Sequence, residues 1–287
     1  MGRVPADLRG AVNPEPLPSE ILAYYAAGRE ARRLFGGHGQ IELARTQELI
    51  LHRLPPARQV VLDVGGGPGV YACWLAALGH EVHLVDALAQ HVEHARRTSA
   101  GQPDHPIASA RVGDARRLDE ADASVDAVLL LGPLYHLPER PDRLAALVEA
   151  RRVLKPGGLV FAAGISRFAS LFAGVFEGLC RDPAFVAIVE RDLHDGRHTN
   201  PTERDYFTTA YFHLPHELEA EVREAGFVTL DLVGVEGPGW LLSDLEARWA
   251  DPVERERLLW AARAVERAPT LLGLSAHLLV VGRKPSR

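Results

Sequence analysis

The central part of the chain repeats two patterns of apolar and polar residues, each typical of one kind of secondary structure. Runs such as 59–64 and 125–131 are short, mostly apolar and stop at a glycine, as buried parallel strands do. The segments between such runs place apolar residues at helical spacing and end at glycine or proline. Strands that alternate with helices predict right-handed βαβ units and a parallel sheet.

The pattern predicts seven strands and seven longer helices. The strands are 59–64, 81–85, 107–112, 125–131, 159–163, 227–235 and 275–281, and the helices are 19–35, 41–54, 70–78, 88–99, 140–154, 216–225 and 252–267. Residues 165–212 break the alternation and are expected to add two or three short helices. The predicted fold class is therefore α/β, with a Rossmann-like, doubly wound, mostly parallel seven-stranded sheet, an N-terminal helical lid and an inserted helical cap.

The same reasoning divides the chain into five segments. Residues 1–18 are rich in proline and are expected to form a flexible arm. The helical lid spans 19–56 and the cofactor-binding core spans 57–164. The helical cap insertion spans 165–212, and 213–287 complete the core.

Composition excludes several classes of protein. The 287 residues carry a formal net charge of −6, so no basic field would attract nucleic acid or an anionic membrane. No apolar run is long enough to span a bilayer, and the start of the chain lacks the apolar centre of a signal peptide. Cys73 and Cys180 are too far apart for a CxxC pair. We expect a cytoplasmic monomer or homodimer without disulfides that acts on a small-molecule substrate.

A glycine-rich turn follows the first predicted strand and precedes a predicted helix. Glycine permits a sharp turn and lets a ligand touch the backbone, and the helix N terminus beyond offers N–H groups to an anionic group. Asp86 ends the second predicted strand, where a carboxylate accepts hydrogen bonds from a ribose diol. The combination predicts a cofactor that contains a nucleoside.

Four segments in a fixed order make this prediction more specific: 63–69 (DVGGGPG), 113–115 (GDA), 130–136 (LLGPLYH) and 149–158 (EARRVLKPGG). The first has the spacing Asp63-x-Gly65-x-Gly67-x-Gly69 instead of G-x-G-x-x-G, which disfavours a nicotinamide-dependent oxidoreductase. Together the four resemble the class I S-adenosylmethionine (SAM) dependent methyltransferases. The last closely matches the group that includes ubiquinone and menaquinone biosynthesis enzymes.

The resemblance implies SAM as the cofactor and a role for each matching residue. Asp63, Gly65, Gly67 and Leu131 would contact the methionine part, Asp86 and Ala87 the ribose, and Asp114 and Ala115 the adenine. Tyr24, Tyr25 and Arg45 resemble residues of an N-terminal lid over the cofactor. Arg45 would pair with the methionine carboxylate, unless it is an ordinary surface arginine.

Methyl transfer requires an acceptor held close to a sulfonium methyl and in line with it, and a base helps when the acceptor is a hydroxyl, an amine or an enolisable carbon. Tyr135 and His136 follow the fourth strand and are expected to face the methyl group. His136 is either a general base or a hydrogen-bonded residue that shapes its loop. His213, at the end of the cap, is the third catalytic candidate, or else part of the cap's core.

Several alternatives stay open at this stage. His194 and His198 are spaced to share one face of a helix, but 13 histidines make such spacings common by chance, and we predict no metal site. The predicted function is SAM-dependent methylation of a small metabolite at oxygen, nitrogen or carbon. The alternatives are a SAM-using enzyme that does not methylate (a lyase, a cyclase or an aminocarboxypropyl transferase) and a catalytically silent SAM-binding protein.

Overall fold

The computed structural model describes residues 18–26, 30–202, 204 and 206–286. Apart from Pro18, the predicted arm at 1–18 lies outside this part of the chain. The α-helices are α1 (Ser19–Ala26), α2 (Glu30–Arg33), α3 (Gly39–Arg53), α4 (Val70–Ala77), α5 (Ala89–Ala100), α6 (Arg140–Val153), α7 (Ala169–Phe176), α8 (Pro183–Asp195), α9 (Pro215–Glu224), α10 (Leu245–Ala250) and α11 (Pro252–Val265). The strands are β1 (Val60–Val64), β2 (Glu81–Asp86), β3 (Ser109–Val112), β4 (Val125–Leu130), β5 (Leu154–Ser166), β6 (Arg197–His198), β7 (Ala210–His213), β8 (Val228–Gly234) and β9 (His277–Arg283).

All nine strands of the described residues belong to one sheet, in which seven follow the order β3-β2-β1-β4-β5-β7-β6 and β8 and β9 lie off this path. Strands β1 to β5 are parallel to their neighbours in this path, whereas β9 lies antiparallel between β5 and β8. The predicted α/β class with a mostly parallel sheet is confirmed. The count of seven strands was too low because β6 and β7 have two and four residues, too few to show a period-two pattern.

The sheet is covered on both faces, as a doubly wound fold requires. Val61 and Leu62 on β1 point to opposite sides and belong to separate buried clusters. Apolar residues of α3, α4 and α5 pack in one cluster, and those of α6 and α9 pack in the other. Strands buried on both faces explain why their sequences are nearly continuous apolar runs.

Within the helix expected over 19–35 the structure describes α1 and α2, and residues 27–29 between them lie outside the described part. One later segment differs from the prediction. The stretch after β8 contains a 3₁₀ turn at Gly237–Leu241 and the short helix α10, where no element was predicted. Neither of these elements is long enough for helical periodicity to be recognised in the sequence.

Strands β1 and β4 are neighbours in the sheet, and the helices that follow them, α4 and α6, pack on opposite faces. A crevice forms at the carboxyl ends of such strands, where open α/β sheets bind their ligands. The helices α1, α2 and α3 lie over this end, since residues of each line the cavity described below. Within the described residues, no helix combines the length and the apolar character needed to cross a bilayer.

Candidate active site

The turn between β1 and α4 is built from glycines in a backbone conformation that other residues rarely adopt. Gly65, Gly67 and Gly69 have φ values of +67°, +55° and +87°. A Cβ at Gly65 would lie 2.6 Å from Cγ of Pro133, so even the smallest side chain would collide with the loop after β4. The glycines therefore let two loops approach closely and leave backbone groups exposed to the space between them.

The Asp86 carboxylate is fixed beside this turn. The Gly67 N–H donates to its Oδ2 at 2.8 Å, and the Leu88 N–H donates to its Oδ1 at 2.9 Å. The His91 Nδ1 lies 3.1 Å from Oδ1. These contacts hold an acidic group at the tip of β2, within the cavity wall.

Asp63 is the most unusual polar group of the site. Its side chain is 1% exposed, and its Oδ2 atom has no hydrogen-bond partner among the described residues. Burial raises the pKa of Asp63 to about 7, and the negative charge of Asp86 adds to this effect. A buried acceptor without a partner fits a ligand that brings a donor or a positive charge into the cavity.

Most of the residues singled out in the sequence meet in one cavity. The predicted residues in its wall are Asp63, Gly65, Gly67, Asp86, Ala87, Asp114, Ala115, Leu131, Tyr135 and His136. The Asp114 carboxylate is held by the Arg116 side chain and by its backbone N–H. The structure therefore places the glycine turn, three acidic side chains and the loop after β4 around a common space.

Arg45, predicted to reach the cofactor, lies outside the cavity wall. Its guanidinium bonds to Glu48, to Glu266 and to the backbone oxygen of Val235, and its side chain is 1% exposed. Helix α3 lies close to its predicted range, but Arg45 projects from it toward the loop after β8. Arg33, which the sequence analysis did not single out, lines the cavity instead.

Tyr24 and His213 are also outside the cavity wall. Tyr24 makes edge-to-face contacts with Tyr25 and Phe207, with ring centroids 5.3 and 5.5 Å apart. His213 is fully buried, with Nε2 3.4 Å from Glu221, and burial lowers its pKa. Indeed none of the described residues of segment 165–212 lines the cavity. The predicted cap packs behind the site, where the ring centroids of Phe207 and His136 lie 5.9 Å apart.

Tyr25, at the end of α1, was expected to belong to the lid but was not predicted as a catalytic residue. Its hydroxyl oxygen lies 2.5 Å from Nε2 of His136, and the two rings meet edge to face. Burial lowers the pKa of His136 to about 4, so its imidazole is neutral at pH 7. The helical period of α1 placed Tyr25 on an apolar face, and no local signal showed what that face would meet.

A cluster of charged side chains also lines the cavity. Arg33 makes a two-point ion pair with Glu42, and Nδ1 of His277 contacts Glu236 at 2.5 Å and Glu42 at 3.8 Å. Burial raises the pKa of Glu42, but Arg33 and His277 outweigh it and bring the value to about 2. Burial lowers the pKa of His277, but the two carboxylates outweigh it and the net shift is upward.

The same cluster contains the ligand types of a metal site. In the described part of the chain, Glu42, Glu236 and His277 are the only group of three or more His, Cys, Asp or Glu residues whose ligand atoms all lie within 4.8 Å of one another. Arg33 and His277 already contact the two carboxylates. The histidines considered for a metal in the sequence lie elsewhere: His198 bonds to Asp192 and stacks on Phe212.

A glycine turn before α4, acids at the tips of neighbouring strands and a crevice at the switch point define an α/β enzyme that uses a nucleoside-containing cofactor. Residues 61–158 match the family described as "Methyltransferase domain". A ubiquinone biosynthesis O-methyltransferase of Xanthomonas axonopodis pv. citri is 31% identical over 196 residues, which cover 67% of this chain and 72% of that protein. The chain belongs to the SAM-dependent methyltransferase family, and its cofactor is SAM.

Solved structures agree with the fold. A SAM-dependent methyltransferase of Methanosarcina mazei superposes with a TM-score of 0.57 at 17% identity, covering 83% of this chain and 98% of that one. The [4+2]-cyclase SpnF superposes with a TM-score of 0.52 at 20% identity, covering 85% and 82%. At such identities the likeness concerns the fold alone.

Proposed function

We propose that this enzyme transfers the methyl group of SAM to a hydroxyl oxygen of a small acceptor held in the cavity. The observation that carries the proposal is the environment of His136. Its neutral imidazole lies in the same cavity wall as the glycine turn and is hydrogen-bonded to the Tyr25 hydroxyl. A hydroxyl acceptor must lose its proton, and a neutral imidazole accepts one. The relatives named O-methyltransferases support the same choice of acceptor atom.

The cofactor residues are proposed as follows, on the fit of the residues to SAM. The turn glycines Gly65 and Gly67, the Leu131 carbonyl and the unpartnered Oδ2 of Asp63 suit the methionine amino group. Asp86 and Ala87 suit the ribose, and Asp114 and Ala115 suit the adenine. Arg33, and not Arg45, is proposed to pair with the methionine carboxylate, because Arg33 is the arginine in the cavity wall. Its guanidinium would then contact both that carboxylate and Glu42.

The lid segment 19–56 is proposed to close over the site. Six described side chains of this segment line the cavity: Ile21, Tyr25, Arg33, Leu34, Glu42 and Thr46. Closure of the lid would keep water away from the reacting groups, which strengthens their electrostatic interactions. A site closed in this way favours a small acceptor over a macromolecular one.

SAM, when bound, supplies a methyl group on a positively charged sulfur, so the leaving group needs no acid. The chain's own part is then to position the acceptor and to take its proton. Tyr135 and His136 lie on a 3₁₀ turn (Pro133–His136) that begins directly after β4, so the sheet fixes their place relative to the glycine turn. His136 is the proton acceptor in this scheme, and Tyr135 forms the wall beside it, with ring centroids 4.7 Å apart.

The test is a product analysis with SAM labelled at the methyl group and an acceptor panel of phenols, catechols, aliphatic alcohols, carboxylic acids and amines. We expect S-adenosylhomocysteine (SAH) to form and the label to appear on an oxygen of one hydroxyl acceptor. His136→Asn should lower kcat about 100-fold or more and leave the affinity for SAH unchanged. Label on nitrogen, or release of methylthioadenosine in place of SAH, would contradict the proposal.

A further inference from the structure

Tyr25 and His136 come together from distant parts of the chain. Tyr25 is on α1 and His136 is on the turn after β4, 111 positions later, and their side chains share a hydrogen bond inside the cavity wall. The Tyr25 backbone oxygen accepts a 2.8 Å hydrogen bond from the Gln90 side chain, and its ring also contacts His91. The lid helix is therefore attached to α5 and to the loop after β4 at the same point.

The roles in this hydrogen bond depend on which ring nitrogen carries the proton. Nδ1 of His136 is buried and has no hydrogen-bond partner among the described residues, so the contacts leave the tautomer open. Proton transfer from Tyr25 to His136 requires the proton on Nδ1. A neutral imidazole with its proton on Nδ1 has a lone pair on Nε2, so in that tautomer Tyr25 donates and His136 accepts.

We propose that Tyr25 is a catalytic residue: its hydroxyl oxygen contacts the acceptor, and it passes a proton to His136. This inference rests on the proposed methylation of a hydroxyl group. His136 then acts through Tyr25, which corrects the simpler expectation that the imidazole touches the acceptor. The residue that meets the acceptor belongs to the lid, so the proton-accepting pair exists only when α1 is docked.

The step balances in atoms and charge. The acceptor oxygen forms a bond to the methyl carbon as its O–H bond breaks, and the electron pair of the former S–C bond stays on sulfur. The acceptor proton moves to the Tyr25 oxygen while the Tyr25 proton moves to Nε2 of His136. One positive charge therefore passes from sulfonium to imidazolium. The nearby Asp86 carboxylate favours the imidazolium, and water takes the proton when the lid opens.

The kinetic test compares two variants that each remove one hydrogen-bonded tyrosine hydroxyl. Tyr25→Phe should lower kcat about 100-fold while the Kd for SAH changes less than twofold. Tyr206→Phe is the matched control: its hydroxyl bonds to Asp182 outside the cavity wall, and its kcat should equal that of the wild type. The double variant Tyr25→Phe/His136→Asn should lose no more than either single variant, because the two residues form one unit.

A second readout does not depend on turnover. In protein with ¹⁵N-labelled histidine and bound SAH, NMR at pH 7 should show His136 protonated at Nδ1 alone, with an Nε2 shift that moves in Tyr25→Phe and not in Tyr206→Phe. A doubly protonated ring, an Nε2–H tautomer, or kcat of Tyr25→Phe within threefold of the wild type would overturn the relay. If the wild type methylates no hydroxyl acceptor, both proposals fall; if it does and Tyr25→Phe does equally, only the relay falls.

Discussion

The carboxyl group of Asp63 illustrates how one residue links the charge of the cavity to its ligand. Burial and the neighbouring Asp86 keep it partly protonated near neutrality, since its pKa is about 7. The ammonium group of a bound methionine moiety would pair with the ionised form only. Binding of the cofactor should therefore be coupled to release of a proton from Asp63.

Cofactor affinity should depend on pH through this residue. Because only ionised Asp63 pairs with the ligand, the affinity for SAH should rise by about tenfold between pH 6 and pH 8, as a pKa of about 7 requires. Calorimetry at the two values measures the change and the proton released. Asp63→Asn should bind weakly and with the same affinity at both pH values. An unchanged slope in that variant would assign the titration to another group.

The same shift has a consequence for stability with a definite sign. The folded pKa of about 7 lies above 3.8, the ordinary value of an aspartate, so between these pH values the folded chain holds a proton that the unfolded chain has released. Stability from this group is present at low pH and is lost as pH rises toward 7. Asp63→Asn should therefore be more stable than the wild type at pH 8, by about 1 to 3 kcal/mol. Urea unfolding at pH 5 and pH 8 would show whether the difference grows with pH.

Two arginines of the lid segment have different tasks although they are only twelve positions apart. Arg33 lines the cavity and Arg45 is enclosed by Glu48 and Glu266. Lysine keeps the charge but loses the two-point geometry of the guanidinium. Arg33→Lys should raise the Kd for SAH about tenfold, whereas Arg45→Lys should leave it within twofold and lower the thermal midpoint. Calorimetry and thermal unfolding of both variants decide, and the opposite result would restore Arg45 to the cofactor site.

At the scale of elements, the β1–α4 turn couples two loops rather than one. Its first glycine faces Pro133 of the loop after β4, which begins the turn that carries Tyr135 and His136. A change in the cofactor turn should therefore reach the acceptor end of the site through direct contact. Backbone strain alone would not produce that effect.

A pair of glycine substitutions separates strain from collision. Gly65 and Gly79 both have positive φ, at +67° and +92°, but a Cβ at Gly79 would meet nothing within 4 Å. Gly79→Ala should cost about 1 kcal/mol of stability and keep full activity. Gly65→Ala should bear the same strain and also lose SAH binding about 10-fold or more, because the Cβ displaces Pro133. Equal SAH affinity in the two variants would show that the loops do not depend on this contact.

At the scale of the whole molecule, a buried ion pair joins helices α6 and α9 on one face of the sheet. Arg143 on α6 bonds to Glu221 on α9 and to the carbonyls of Leu137 and Pro138, and its guanidinium stacks on Tyr211. Arg143 and Glu221 are 1% and 3% exposed. Burial raises the pKa of Glu221, but His213 and Arg143 outweigh it and bring the value to about 2.

Loss of one partner should be far more costly than loss of both. Arg143→Met leaves a buried carboxylate without its cation, which should lower stability by about 3 to 5 kcal/mol. Arg143→Met/Glu221→Leu should recover most of that loss, because no unpaired charge remains. Urea unfolding measures both. A double variant as unstable as the single one would mean that packing against Tyr211, and not charge, is what the pair contributes.

Much of the fold and the cofactor end of the site could be predicted from sequence because their signals are local. The turn glycines, Asp63 and Asp86 lie within one βαβ unit, where strand, turn and helix fix the neighbours of each residue. The loop after β4 joins them because parallel strands end at the same edge of the sheet. The matching order of four short motifs was therefore sufficient to indicate the family.

Contacts between distant segments were beyond the reach of the sequence. Arg33, Tyr25 and His277 reach the cavity because the lid helices and β9 dock on the sheet, and no periodic pattern tells which of two nearby arginines will face a ligand. Phe207 of the predicted cap packs against His136 and does not line the cavity. Sequence determined the sheet and the cofactor turn, since each depends on neighbours along the chain. Only the tertiary structure decided which side chains complete the acceptor end, because that depends on the angle at which separate layers pack.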